Sequence, residues 1–113
     1  MRTLLLLLLG ISTFAQVEIR LQIIDNTNAP SELFLAGDFN DWEAGDPKYR
    51  FKDRSLVIDS LPSFIEFKVV GKTWSQVEGS EEGRPIANRK RIVRPGAMIE
   101  LSIQGWEKPP ALQ

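Results

Sequence analysis

Beyond residue 16 the chain is dominated by short stretches in which apolar and polar side chains alternate. Val17, Ile19, Leu21 and Ile23 alternate with Glu18, Arg20 and Gln22. A period of two over this length predicts a strand with one buried face. The run Asp25-Asn26-Thr27-Asn28-Ala29-Pro30 is dense in turn formers and ends that strand. A short apolar strand follows at residues 33–36 and stops at Gly37-Asp38, and residues 38–47 read as a loop carrying Phe39 and Trp42. Alternation resumes as a strand at residues 48–52, around Tyr49 and Phe51, and again at Leu56 and Ile58 before a turn at Pro62. Residues 64–70 predict a strand with Ile65, Phe67 and Val69 on one face and Glu66 and Lys68 on the other. Gly71-Lys72 turns the chain into residues 73–78, and residues 79–88 read as an exposed loop. Strands are expected again at 89–93 and, with a less clean alternation, at 98–103, separated by Pro95-Gly96 and followed by Trp106 and a proline-rich tail. No segment sustains a helical period. Seven or eight short strands with turns at regular intervals predict an all-β chain, an antiparallel β-sandwich.

The first residues follow a different pattern. Met1-Arg2-Thr3 gives a positive start, Leu4 to Leu9 is an unbroken leucine run, and the small residues Ser12, Thr13 and Ala15 close the segment. That order is expected of a secretory signal peptide over residues 1–15, cleaved after Ala15. The apolar stretch is well short of the ~20 residues of a spanning helix. Residues 16–113 then form one β-sandwich domain, secreted or periplasmic, with no membrane span after cleavage.

Composition narrows the chemistry. The 113 residues contain no Cys and no His. Thiolate nucleophiles, disulfides and Cys-ligated zinc are thereby excluded, as is every Ser-His or Cys-His scheme. Charge is balanced, with 14 Lys+Arg against 15 Asp+Glu, which gives no electrostatic reason to expect nucleic acid. Arg89, Lys90, Arg91 and Arg94 make one strand basic, but no aromatic platform accompanies them. Glu78, Glu81 and Glu82 admit a glycosidase carboxylate pair, although acids in a Gly-rich loop more often serve as solubilising charge. Asp38, Asn40 and Asp41 admit calcium, but no spaced Glu completes a loop of the EF-hand type. The balance favours a non-catalytic binding module without cofactor or metal.

Two stretches go further: Leu33-Phe34-Leu35-Ala36-Gly37-Asp38-Phe39-Asn40-Asp41-Trp42, and Ile65-Glu66-Phe67-Lys68-Val69-Val70-Gly71-Lys72-Thr73-Trp74, with Asn88-Arg89 beyond. Their order and spacing resemble the starch- and glycogen-binding modules, carbohydrate-binding module families 20 and 48, which include the glycogen-binding domain of AMP-activated kinase β subunits. The resemblance spans roughly residues 17–106. It implies an immunoglobulin-like sandwich that binds α-glucan across two indole faces, with Trp42, Trp74, Lys68 and Asn88 as the carbohydrate-binding residues. One departure is that many family 20 modules carry a Trp-Glu pair shortly before Asn-Arg, where this chain has Val77-Glu78.

The residue types suit that task. An indole offers a flat face to the C–H side of a glucose ring, at a low cost in side-chain entropy. Lys68 and Asn88 supply donors and an acceptor for hydroxyls. Each residue also has a purely structural reading. Trp42 can fold back onto the core, Trp74 can be a cross-strand partner beside a turn, Lys68 can be an ordinary strand lysine paired with Glu66, and Asn88 can shape its loop. Trp106 reads as a cap on the sandwich base. The partner expected is an α-glucan, and beside it a glucan-active enzyme or another protein. The alternative is an exported interaction or regulatory sandwich that has lost the sugar.

Overall fold

The alternating segment near the start forms β1, Val17–Ile23, and its four apolar side chains all point inward. A computed structural model describes residues 16–109. The expected leader, residues 1–15, lies outside the described residues. β1 is the middle strand of a three-stranded sheet, between β3 (Ser55–Ile58) and β7 (Met98–Ile103). A second three-stranded sheet places β4 (Phe64–Val70) between β2 (Phe34–Gly37) and β6 (Arg89–Ile92). A two-stranded ribbon pairs β5 (Glu78–Gly79) with β8 (Gly105–Trp106). The described residues therefore build an all-β fold of eight strands, as the spacing of turns predicts.

The inward faces of the two larger sheets share one core. Ile19, Leu21, Leu56, Leu101 and Ile103 from the first meet Leu35, Ile65, Phe67 and Val69 from the second. Burying a side chain of this size stabilises by about 1.5–3 kcal/mol relative to exposure, before the entropy of ordering it. All the pairings are antiparallel except one: β1 and β7 run parallel, in the register Ile19↔Ile99 and Leu21↔Leu101. A parallel pair needs a long crossover, and here β2 to β6 lie between its two strands.

Two segments depart from the simple alternation. The strand expected at 48–52 is instead a 3-10 turn, Pro47–Tyr49, followed by isolated bridges from Arg50 to Phe34 and from Lys52 to Ser55. The reason is local: Pro47 suits the start of a helical turn, and the Asp46 carboxylate accepts the Lys48 N–H at 3.1 Å. Tyr49 and Phe51 still reach the interior. Residues 73–76 also turn rather than extend, closed by Gln76 N–H to the Thr73 carbonyl and Gly71 N–H to the Gln76 carbonyl. At the end of β1, Asp25 accepts the Thr27 N–H at 2.9 Å. That bond holds its carboxyl below the usual range.

One charged pair joins the layers. Glu78 is fully buried and accepts the Val69 N–H of β4 at 2.8 Å. Its carboxylate is forked by Arg89, with Nη2 at 2.7 Å from Oε1 and Nε at 3.0 Å from both oxygens. Arg89 Nη2 also donates to the Ser102 carbonyl on β7, in the opposite sheet. Removing one partner strands the other charge in the interior, at a cost of about 3–5 kcal/mol. Glu78→Gln is therefore expected to lower the urea midpoint sharply, whereas Glu81→Gln, on an exposed side chain, leaves it nearly unchanged.

Candidate functional site

The site is built on the outward face of β2, β4 and β6 and on the loop that leaves β2. Gly37 roots that loop. A Cβ there would lie 2.5 Å from the Glu66 carbonyl oxygen and 2.8 Å from Phe67 Cβ, so no larger residue allows this approach. Asp38 extends the contact, donating its N–H to the Glu66 carbonyl at 3.0 Å and accepting the Glu66 N–H at 3.3 Å. Phe39 turns inward, its ring centroid 4.8 Å from that of Tyr49.

Asn40 holds the loop closed. Its Oδ1 accepts the Gly37 N–H at 3.0 Å, and its Nδ2 donates to the Glu43 carbonyl at 3.1 Å and to Asp46 at 3.2 Å. The Gly37 carbonyl in turn receives the N–H groups of Asn40 and Trp42. The loop is thus satisfied internally, and its backbone is forced at the tip. Asp41 and Trp42 have φ of 57° and 56°. Left-handed backbone is tolerable for Asp but uncommon for a residue as large as Trp. Such a residue costs on the order of 1–3 kcal/mol and persists where its surroundings over-determine it.

The strained carbonyl has a partner. Trp74 sits in the turn after β4, and its indole Nε1–H donates to the Trp42 carbonyl at 2.8 Å. The two indoles stand 6.3 Å apart, centroid to centroid, with their planes at 42°. Trp74 is 41% exposed, and Trp42 is half-buried. The structure therefore brings these two residues together, on two loops joined by a hydrogen bond.

Lys68 lies on the outward face of β4, opposite Ala36. It is only 8% exposed, and no ion pair or side-chain hydrogen bond engages its ammonium among the described residues. It is neither a solvated strand lysine nor the partner of Glu66. Next to it Phe34, Ala36, Val70 and Val77 form a small second apolar cluster beneath Ala44 of the loop, so the face carrying the lysine stem is partly roofed. Asn88 is exposed and donates to Glu66 Oε2 at 3.1 Å. It immediately precedes the Arg89↔Phe67 pair, which sets it beside Lys68 on β4.

The remaining candidates lie elsewhere. Trp106 is 4% exposed and donates to the Asp25 carbonyl at 3.3 Å. Glu78 is committed to Arg89 and Val69, leaving Glu81 and Glu82 on the surface. Asp38 and Asn40 spend side-chain oxygens on backbone N–H groups, and no cluster of acidic side chains suited to a metal ion occurs among the described residues. Sequence reasoning missed Asn40 as the organiser of the loop. The signal was present in the run Gly37-Asp38-Phe39-Asn40, because Asn is the residue that satisfies a turn with its own side chain.

Comparison with known proteins places the chain beside a much larger enzyme. An alpha-amylase of Niallia circulans is 31% identical over 98 residues, covering 80% of this chain and 8% of the amylase. The chain therefore spans less than a tenth of that relative's length, and the likeness is to a small part of it. No family model matches the chain, and no solved structure matches it.

If Asn40 organises the loop, Asn40→Ala should cost about 1–3 kcal/mol by leaving the Gly37 N–H without its acceptor. Urea unfolding measures this. Asn40→Asp, which keeps the acceptor oxygen, should recover part of the loss.

Proposed function

We propose that this chain is an exported, non-catalytic module that binds α-glucan: starch, glycogen or maltooligosaccharides. The observation that carries the reading is the pair of indoles at 6.3 Å and 42°, locked to each other by the Trp74 N–H. Two flat plates meeting at an angle fit the C–H faces of successive glucose rings in a curved α-1,4 chain better than those of a flat ribbon. The hydrogen bond fixes the angle before ligand arrives, which lowers the ordering cost of binding. Lys68 and Asn88 share the adjoining sheet face. An ammonium with a largely covered stem and no partner among the described residues is suited to donate to sugar hydroxyls. The resemblance of Gly37 to Trp42, Glu66 to Trp74 and Asn88-Arg89 to the starch- and glycogen-binding modules supports the same reading. The likeness to a small part of an alpha-amylase supports it independently, and makes a glucan-active enzyme the natural companion.

Such a surface is open and wet, so affinity is modest, on the order of −5 to −6 kcal/mol. Several modules acting together hold an insoluble granule more firmly than one. Calorimetric titration with maltoheptaose tests the reading. Trp42→Ala and Trp74→Ala are each expected to weaken binding about tenfold or more, equivalent to about 1.4 kcal/mol, with unfolding still cooperative. A wild-type domain that takes up no maltoheptaose and is not retained on amylose resin refutes it, and leaves an exported interaction sandwich in its place.

A further inference from the structure

The outward face of β4 continues past Lys68. Successive rows cross the sheet along the strand: Ala36 and Lys68 with Asn88 beside them, then Glu66 opposite Lys90, then Phe64 opposite Ile92. The last row is apolar and open. Phe64 is 52% exposed and Ile92 65%, directly across from each other. At about 3.3 Å per residue, Phe64 lies roughly 13 Å along the strand from Lys68. An exposed phenyl directly across from an exposed β-branched side chain adds nothing to the core and stays in contact with water.

We infer that Phe64 and Ile92 form a remote subsite for the same glucan chain, beyond the rings lying on the indoles. The inference rests on the α-glucan reading above. The strip between the two apolar ends decides the occupant. Glu66, Asn88 and Lys90 lie there, a half-buried carboxylate beside an exposed amide and an exposed ammonium. An apolar protein surface laid across that strip would take the Lys90 ammonium and the hydrogen-bonded Asn88–Glu66 pair out of water with nothing to replace it, at a cost. A sugar chain offers hydroxyls to the strip and C–H faces to its ends. Phe64 supplies the flat face, and Ile92 widens the apolar patch from the opposite position on the neighbouring strand. Two apolar side chains also fall far short of the roughly 800 Å² per partner that a stable protein interface buries.

The test is chain-length dependence, measured by calorimetry on the whole domain with maltotriose and with maltoheptaose. The wild type is expected to bind maltoheptaose more tightly. Phe64→Ala should lower maltoheptaose affinity three- to tenfold and leave maltotriose affinity unchanged, so that the gain from length disappears. Ile92→Thr, at a more exposed position, should do the same more weakly, and an unchanged melting temperature shows that either variant is folded. If Phe64→Ala leaves maltoheptaose affinity intact while Trp74→Ala abolishes it, the remote subsite is wrong and the indole site stands. An equal loss for both sugars also overturns the inference, since Phe64 then acts on the site as a whole. Failure of the wild type to bind either sugar removes both this inference and the reading beneath it.

Discussion

A carboxylate without access to solvent sits where the sheets of this domain meet. Glu78 belongs to the two-stranded ribbon, takes its backbone donor from β4, and is forked by Arg89 of β6, which reaches on to a β7 carbonyl in the opposite sheet. The chain has no cysteine, so no covalent link performs this joining. A buried ion pair adds little net stability over apolar packing, but it is strongly selective about what surrounds it, because any other register leaves a charge unpaired. The consequence here is geometric. With Arg89 fixed, the start of β6 is fixed, and Asn88 is carried to the side of Lys68 on β4.

From that frame the indole pair follows by short steps. Gly37 lets the loop root lie against β4, Asn40 closes it, and the closure drives Asp41 and Trp42 into left-handed backbone. The strain is offset by a loop whose donors are satisfied internally, and it presents the Trp42 carbonyl to the Trp74 indole. The plates are thus oriented by backbone geometry on one side and a hydrogen bond on the other. Flexible packing of two free rings would not set a 42° angle.

Much of this was legible in the amino-acid order, and the part that was not has a physical reason. β1 and β7 were readable to the residue because half-buried strands impose a period of two, and β4 because its inward Ile65, Phe67 and Val69 alternate with Glu66 and Lys68 although both faces are covered toward its end. Residues 48–52 misled because Tyr49 and Phe51 are both buried, which is all that alternation reports, while Pro47 and Asp46 set the backbone. The indoles were legible as exposed candidates from their loops, but not their contact, since no local pattern encodes a bond spanning 32 residues. Glu78 looked like a surface acid from its Gly-rich neighbours, and Arg89 looked like part of a basic strand. Their pairing depends on β5 and β6 both lying along β4, which only the tertiary structure supplies. Lys68 was expected either in solvent or against Glu66; the loop that roofs its face is set by the Asn40 bonds, not by its own strand.

The three tryptophans end in two unlike settings. Trp106 is sealed in the interior with its N–H on a carbonyl, while Trp42 and Trp74 form a close, fixed and partly solvated pair. Chromophores that near and that rigidly turned share their electronic transitions, and a solitary buried ring does not. The domain therefore carries two separable optical signatures. A coupled signal in circular dichroism belongs to the surface pair, and a blue-shifted emission belongs to the interior ring, so changes at the outer face and loss of the packed core register in different bands of the same spectrum.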